Sequence, residues 1–333
     1  LADIAGAWPI MRATDALARI ADAGCAAAIG YLFDEAVRKG DWLAPEDGSR
    51  ADASSGYFVL AMGKHGAFEL NYSSDIDLIV FYDPERSRLR DGLAPTAFFV
   101  RMTRDLVRLL NERTPDGYVF RTDLRLRPDP GATQVAISID SALHYYESFG
   151  QNWERAAMIK ARPVAGDITA GEAFLGELAP FVWRKYLDFA AISDIHAMKR
   201  QIHAHRGFAK IAVAGHNIKL GRGGIREIEF FVQTQQLIAG GRQTGLRSRA
   251  TLETLAGLAK RGWITPEVEA DMREAYCFLR TIEHRIQMMG DEQTHQLPAE
   301  EEALTGVSHF AGYETLAALS EALTERLEKV QKH

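Results

Sequence analysis

The chain holds 333 residues, 47% hydrophobic and 25% charged, the make-up of a globular protein long enough for two domains with cores of their own. A formal net charge of −6 argues against a general nucleic-acid binder, which carries a basic surplus, although a local basic pocket stays compatible with it. The two cysteines, Cys25 and Cys277, offer no metal knuckle and suggest no disulfide framework, so buried thiols in a reducing cytoplasm are expected.

No targeting signal is visible. The Ala-rich stretch from Ala16 to Phe33 is the nearest approach to a membrane span, but Arg19 and Asp22 interrupt it and alanine is weakly apolar. Starting at Leu1 in a helix-like pattern, the chain reads as a piece excised from a longer protein. Residues 7–40 predict one or two helices, with Leu17, Ile20, Cys25, Ile29, Leu32 and Phe33 at apolar positions. A Pro-, Gly- and Ser-rich loop over 41–55 leads to a buried strand, Tyr57-Phe58-Val59-Leu60-Ala61-Met62, which Gly63 breaks; Gly66 follows in a polar turn. A second strand reads from Asp75 to Tyr82. Side chains alternate in a strand, so Asp75 and Asp77 point the same way, roughly 7 Å apart along the chain. Two carboxylates opening an apolar strand repel each other, and burial raises the cost unless a divalent cation holds them. The competing reading is a solvated strand edge.

Pro95 starts a helix whose apolar face runs through Phe98, Phe99, Met102, Leu106, Leu109 and Leu110. After a turn at Pro115-Asp116-Gly117, a third strand is expected over 118–128. Its alternation puts Tyr118, Phe120, Thr122, Leu124 and Leu126 on one face and Arg121, Asp123, Arg125 and Arg127 on the other. Arginine suits bidentate contact with phosphate, whereas the plain alternative is an exposed sheet face. A further strand is expected over 134–139, with Asp140 capping a helix.

Lys160 and Arg162, two apart, would reach an anionic substrate if their segment is extended; surface charges at a domain boundary are the other reading. Beyond Asp167 the period turns helical, with helices expected at 171–187, 193–213, 225–239, 249–261, 265–289 and 312–332 and a short strand near Asn217–Leu220. Thr265 caps the fifth of these and Pro266 fits its first turn, while Val268 to Met289 form a core stripe. His196, His203 and His205 make no i, i+4 pair and predict no zinc site. The Gly-rich turn at Lys219–Arg226, opening a helix with Arg222 and Arg226, presents amides and positive charge to a phosphate or packs as a plain turn. The domains expected are a helical segment over 1–50, a catalytic domain over 51–167 and a helical domain over 168–333.

A Gly-led turn after one strand and a paired Asp motif on the next resemble the nucleotidyltransferase superfamily typified by DNA polymerase β. The run Gly63-Lys64-x-Gly66-x-x-Glu69-Leu70-Asn71-Tyr72-Ser73-Ser74-Asp75-Ile76-Asp77-Leu78 resembles the bacterial glutamine synthetase adenylyltransferase/adenylyl-removing family. So do Asp123-Leu124-Arg125-Leu126-Arg127-Pro128, the segment from Trp153 to Asp167 and the Gly-rich turn; the resemblance spans roughly Gly56 to Met289. It implies an α+β fold, a polymerase β-like sheet with flanking helices followed by a mainly α-helical domain. It also implies Asp123 as the third metal carboxylate beside Asp75 and Asp77, with Mg2+ or Mn2+ as cofactor. Two such ions about 4 Å apart activate an attacking oxygen and stabilise a leaving one at phosphorus. Gly63, Lys64, Ser74, Arg121, Arg125 and Arg127 are the expected nucleotide and phosphate contacts, and Lys160, Arg162, Arg222 and Arg226 candidate substrate contacts.

The implied partners are glutamine synthetase, the PII signal protein, nucleotide and inorganic phosphate, in the cytoplasm, with neither nucleic acid nor membrane. Glu69-Leu70-Asn71-Tyr72-Ser73-Ser74-Asp75-Ile76-Asp77 looks more like the half of that enzyme that removes AMP from a tyrosine of the synthetase with phosphate, releasing ADP. The ATP-dependent adenylylating half, a non-catalytic regulatory module and a nucleotidyltransferase for RNA ends remain as alternatives.

Overall fold

A computed structural model of the protein describes residues 1–185 and 211–333. The chain divides into two compact units. A sheet unit comprises Ala16–Leu70 and Ser74–Trp183, and a helical unit comprises Leu1–Asp15, Asn71–Ser73 and Arg184–His333. The fold is α+β, as expected.

Among the described residues, five strands build the sheet: β1 (Tyr57–Ala61), β2 (Ile76–Tyr82), β3 (Thr122–Asp123), β4 (Ile137–Ser138) and β5 (Arg162–Gly166). β1 pairs antiparallel with β2 and with β5, while β3 and β4 both lie parallel to β2, one at each end of it. Both faces of the two central strands are covered, which is why their sequences are near-continuously apolar. On one face Tyr57, Val59, Leu78 and Val80 join a core with Cys25, Ile29 and Phe33 of α1 (Ile10–Arg38). Phe99 and Leu106 of the helix at Pro95–Asn111 complete that core. Phe99 stacks on Tyr57 and Tyr82, ring centroids 5.4 and 4.7 Å apart, and cutting so central a ring back to alanine costs about 3–5 kcal/mol. On the other face Phe58 and Phe81 pack on Phe174 of the helix at Ile168–Val182.

α1 is long and apolar enough to cross a membrane, yet its small residues lie on the sheet, and Asp22 on it accepts hydrogen bonds from Arg162 of β5. Ile20, expected inside, is exposed.

Among the described residues, the helical unit holds the helices Ile225–Ala239, Thr251–Lys260, Pro266–Gly290, Glu301–Phe310 and Leu316–Lys332. Thr265 caps the long central helix, accepting from the Val268 amide, and Pro266 stands in its first turn as expected. Its stripe of Met272, Ala275, Leu279, Ile282 and Ile286 packs with Leu319, Leu323 and Leu327. That stripe ends at Ile286, and Met289 is exposed. The helix expected over 312–332 starts only at Leu316, where Thr315 caps it, and Glu301–Phe310 is a further helix that the periodicity did not mark. Near Asn217 the expected strand reduces to a single bridge with Gln296. The helix expected over 193–213, with its three histidines, falls almost wholly outside the described residues.

Candidate active site

Ile76 opens β2, and Asp75 stands immediately before it. In the parallel register of β2 with β3, Ile76 lies opposite Thr122 and Asp77 opposite Asp123. Residues in register on neighbouring strands present their side chains to the same face, so the third carboxylate is delivered beside the first two. One oxygen from each of Asp75, Asp77 and Asp123 lies within 4.8 Å of the other two, all three residues being half-buried. Gly63 forms the floor of this cluster. Its φ of +53° is left-handed, and a Cβ there would lie 2.9 Å from Asp77 Oδ2, so the carboxylate rests against bare backbone. The turn expected after β1 is a single helical turn, Gly63–Gly66, and the Met62 amide donates to the Asp77 carbonyl at 2.9 Å. Three convergent carboxylate oxygens form a hard donor set, the kind that Mg2+ or Mn2+ takes, so the residues present fit the implied metal.

The strand expected over 118–128 is formed only at Thr122–Asp123. Asp123 ends it. Its Oδ1 accepts from the Arg125 backbone N–H at 2.7 Å, an Asx turn that bends the chain out of the sheet. The alternation that put Arg125 and Arg127 on the carboxylate face therefore does not apply to them. Arg125 folds back instead, its Nε 2.8 Å from Asp123 Oδ2, with 83% of the side chain exposed. The Arg125 guanidinium and backbone N–H hold the Asp123 carboxyl below its ordinary pKa, against partial burial, which acts the other way. Arg127 closes the loop that follows, donating to the Leu124 and Pro130 carbonyls at 2.9 Å each. Arg121 donates to the Tyr118 hydroxyl at 2.6 Å. Ser74, next to Asp75, and Lys64, next to Gly63, are half-buried.

Lys160 and Arg162 have partners inside the fold. Lys160 Nζ lies 3.0 Å from Glu69 Oε2, both side chains almost wholly out of solvent. Arg162 does lie on an extended segment, β5, but its guanidinium donates to both Asp22 oxygens at 2.9 and 3.0 Å and sits 3.8 Å over the Phe68 ring. His65 Nε2 is 2.8 Å from Asp22 Oδ1. Burial depresses the His65 pKa although Asp22 pulls the other way. Sequence reasoning named Asp22 and Glu69 without giving either a partner, and passed over His65. The signal was an acid in an otherwise alanine-rich helix, and a Glu and His inside a Gly-bounded motif.

The Gly-rich turn lies in the helical unit, and its groups are used internally. The Gly223 amide donates to Glu227 Oε2 at 3.1 Å, Arg222 Nε donates to Gln331 Oε1 at 3.2 Å, and a Cβ on Gly223 would lie 2.2 Å from the Leu327 carbonyl oxygen. This is the geometry of a packing turn. Arg226 is exposed on the first turn of the helix that follows.

The glutamate-ammonia ligase adenylyltransferase family model matches residues 1–177, and that of GlnD PII-uridylyltransferase matches residues 195–333. Among curated proteins, the whole chain is 57% identical to a bifunctional glutamine synthetase adenylyltransferase/adenylyl-removing enzyme of Xanthobacter autotrophicus, covering 34% of that protein. It is 56% identical to proteins of the same name from Bradyrhizobium diazoefficiens, again over all 333 residues, and from Brucella melitensis, over 332, covering 33% and 34% of them. The chain thus spans about a third of the length of the curated relatives it matches. Because the first family match takes in more than half of the chain, with Gly63 and all three aspartates inside it, the chain belongs to the glutamate-ammonia ligase adenylyltransferase family.

Proposed function

We propose that this chain carries out metal-dependent nucleotidyl transfer on glutamine synthetase, in the direction that removes AMP from a tyrosine of the adenylylated synthetase with inorganic phosphate and releases ADP. The observation that carries the proposal is the convergence of Asp75, Asp77 and Asp123 within 4.8 Å. These three would hold Mg2+ or Mn2+. When bound, such ions neutralise charge at the transferred phosphorus and at the oxygens entering and leaving it.

The chain's own residues position the reactants. Lys64, Ser74 and Arg121 flank the cluster in sequence or in the sheet and would orient phosphate groups. Arg125, exposed and hinged beside Asp123, supplies a guanidinium for the incoming phosphate. An oxygen of that phosphate forms a bond to the AMP phosphorus as the bond from phosphorus to the tyrosine oxygen breaks. The phenolate takes up a proton, and the added phosphate becomes the β-phosphate of ADP. With a pKa of about 10, a tyrosine phenol is a competent leaving group once its charge is offset. No covalent enzyme intermediate is needed.

The direction rests on the likeness of Glu69–Asp77 to the removing half of the family enzyme. The relatives' names carry both activities, which keeps ATP-dependent adenylylation as the second reading. A non-catalytic module is disfavoured by three intact carboxylates. The PII signal protein is the proposed regulator, and the cytoplasm the proposed compartment. The test mixes the chain with adenylylated glutamine synthetase, magnesium and labelled phosphate, adding PII if the mixture is silent. Label in ADP supports the proposal. Adenylylation of the unmodified synthetase from ATP, with no ADP formed from phosphate, assigns the opposite reaction. Silence in both assays leaves the regulatory module.

A further inference from the structure

Gly63 and Gly66 bound the single helical turn after β1, and each is pressed by something that a side chain would strike. At the front, Gly63 lies against the Asp77 carboxylate. At the back, a Cβ on Gly66 would overlap the Lys160 carbonyl oxygen and lie 2.5 Å from that of Ala61. The turn is a wedge between the carboxylate cluster and the chain entering β5, bare of side chains at both ends. What stands behind the turn decides where Gly63 stands, and Gly63 limits where the Asp77 carboxylate can lie. The backbone joins them as well: the Met62 amide donates to the Asp77 carbonyl at 2.9 Å, and the Gly66 amide to the Met62 carbonyl at 3.0 Å.

Three groups hold the turn from behind: Asp22 on α1, His65 in the turn itself and Arg162 on β5, all within the sheet unit along with Gly63 and Asp77. His65 is buried, its Nε2 2.8 Å from Asp22 Oδ1. Arg162 donates to both Asp22 oxygens and also to the turn, from Nη2 to the His65 carbonyl at 3.3 Å and from Nε to the Gly66 carbonyl at 3.4 Å. One planar guanidinium thus ties α1 to the two carbonyls that end the turn, a span that the point charge of a lysine does not reproduce.

We propose that Asp22, His65 and Arg162 are positioning residues for Asp77, holding the Gly63–Gly66 turn against which its carboxylate rests. The inference rests on the metal-dependent reading of the triad but on neither direction of transfer. Manganese alone is the probe, titrated into the full 333-residue chain and followed by electron paramagnetic resonance, with thermal unfolding measured in parallel.

Groups that orient metal ligands typically matter by about 10- to 100-fold in affinity. These act through the turn, so His65→Leu and Arg162→Lys should weaken Mn2+ binding at the low end of that scale, by about tenfold. His65→Gln keeps an N–H for Asp22 and should restore most of the loss. Asp167→Asn disturbs another buried charge of the sheet unit, at the opposite end of β1, where Asp167 meets Arg86 at 3.0 Å and accepts from the Gly56 amide at 3.1 Å. It should lower the thermal midpoint and leave Mn2+ affinity unchanged. If His65→Leu does not fold, Arg162→Lys decides, because it keeps a cation beside Asp22 and gives up only the fork. Wild-type affinity in the folded Arg162→Lys chain overturns the inference, and so does an equal loss in Asp167→Asn. A wild-type chain that takes up no Mn2+ removes the metal reading itself, and the inference with it.

Discussion

Gly63→Ala separates a turn residue from a residue that shapes the site. Holding a residue with a Cβ in the left-handed region costs about 1–2 kcal/mol of stability. The second effect is local. The new methyl carbon would lie 2.9 Å from Asp77 Oδ2, where ordinary contact begins near 3.4 Å, so the carboxylate must retreat by about half an ångström. Sites of this kind tolerate roughly that displacement at most, and a full ångström costs about a hundredfold in rate, so a loss on the order of tenfold is expected. Gly48 is the control. Its φ of +70° is also left-handed, and a Cβ there meets nothing within 4 Å. Urea unfolding should show similar destabilisation in Gly48→Ala and Gly63→Ala. Mn2+ titration and phosphate-dependent ADP formation should fall only in Gly63→Ala. If Gly63→Ala binds Mn2+ and turns over like the wild type while losing the same stability as Gly48→Ala, Gly63 is a turn residue and nothing more.

Asp77→Asn should abolish turnover with the thermal midpoint unchanged or raised, because like-charge repulsion is relieved; retention of even about a tenth of the activity rules out a metal-ligand role. Arg125→Gln should raise the phosphate requirement while tightening Mn2+ binding, since it removes the cation that competes for Asp123, and titrating both ligands checks the two signs. Lys160→Met leaves Glu69 buried without its cation and should cost about 3–5 kcal/mol in urea unfolding, whereas a raised KM at full stability would return Lys160 to substrate binding. Burial lowers the pKa of His65, His216 and His284 beneath the ordinary 6.5. Below that value the unfolded chain takes up protons that the folded chain does not, so stability falls with pH, by up to about 1.4 kcal/mol per pH unit per histidine until the folded pKa is passed. Comparing urea midpoints at about pH 7.5 and pH 5.5 tests this, and a flat profile contradicts it.

The two central strands were legible because burial on both faces leaves an uninterrupted apolar run with few readings. The long helix at Pro266–Gly290 was legible for a related reason, a capping Thr, a Pro in the first turn and a clean stripe all agreeing. Asp75 and Asp77 announced themselves as charges where apolar side chains were expected. Alternation failed at Asp123, whose carboxylate turns on its own backbone two residues on and ends the strand that the pattern would have continued. Local side-chain competition with the ladder is invisible to a period-two count. Lys160 and Arg162 mislead for the opposite reason. Their partners, Glu69 and Asp22, lie 91 and 140 residues away, and only the fold reveals that these cations are already matched.

β3 meets β2 through two registered pairs, whereas β1 meets it through five. The margin that carries Asp123 therefore opens at a fraction of the free energy needed to part the central strands. The Ile76 amide, which donates to the Arg121 carbonyl at 2.8 Å, is the natural reporter of that opening by hydrogen–deuterium exchange. A ligand that needs all three carboxylates binds only the closed population, and its apparent affinity is scaled by the closed fraction. The arrival of such a ligand would latch the margin in turn, so that occupancy of the centre would lengthen the exchange lifetime of one backbone proton.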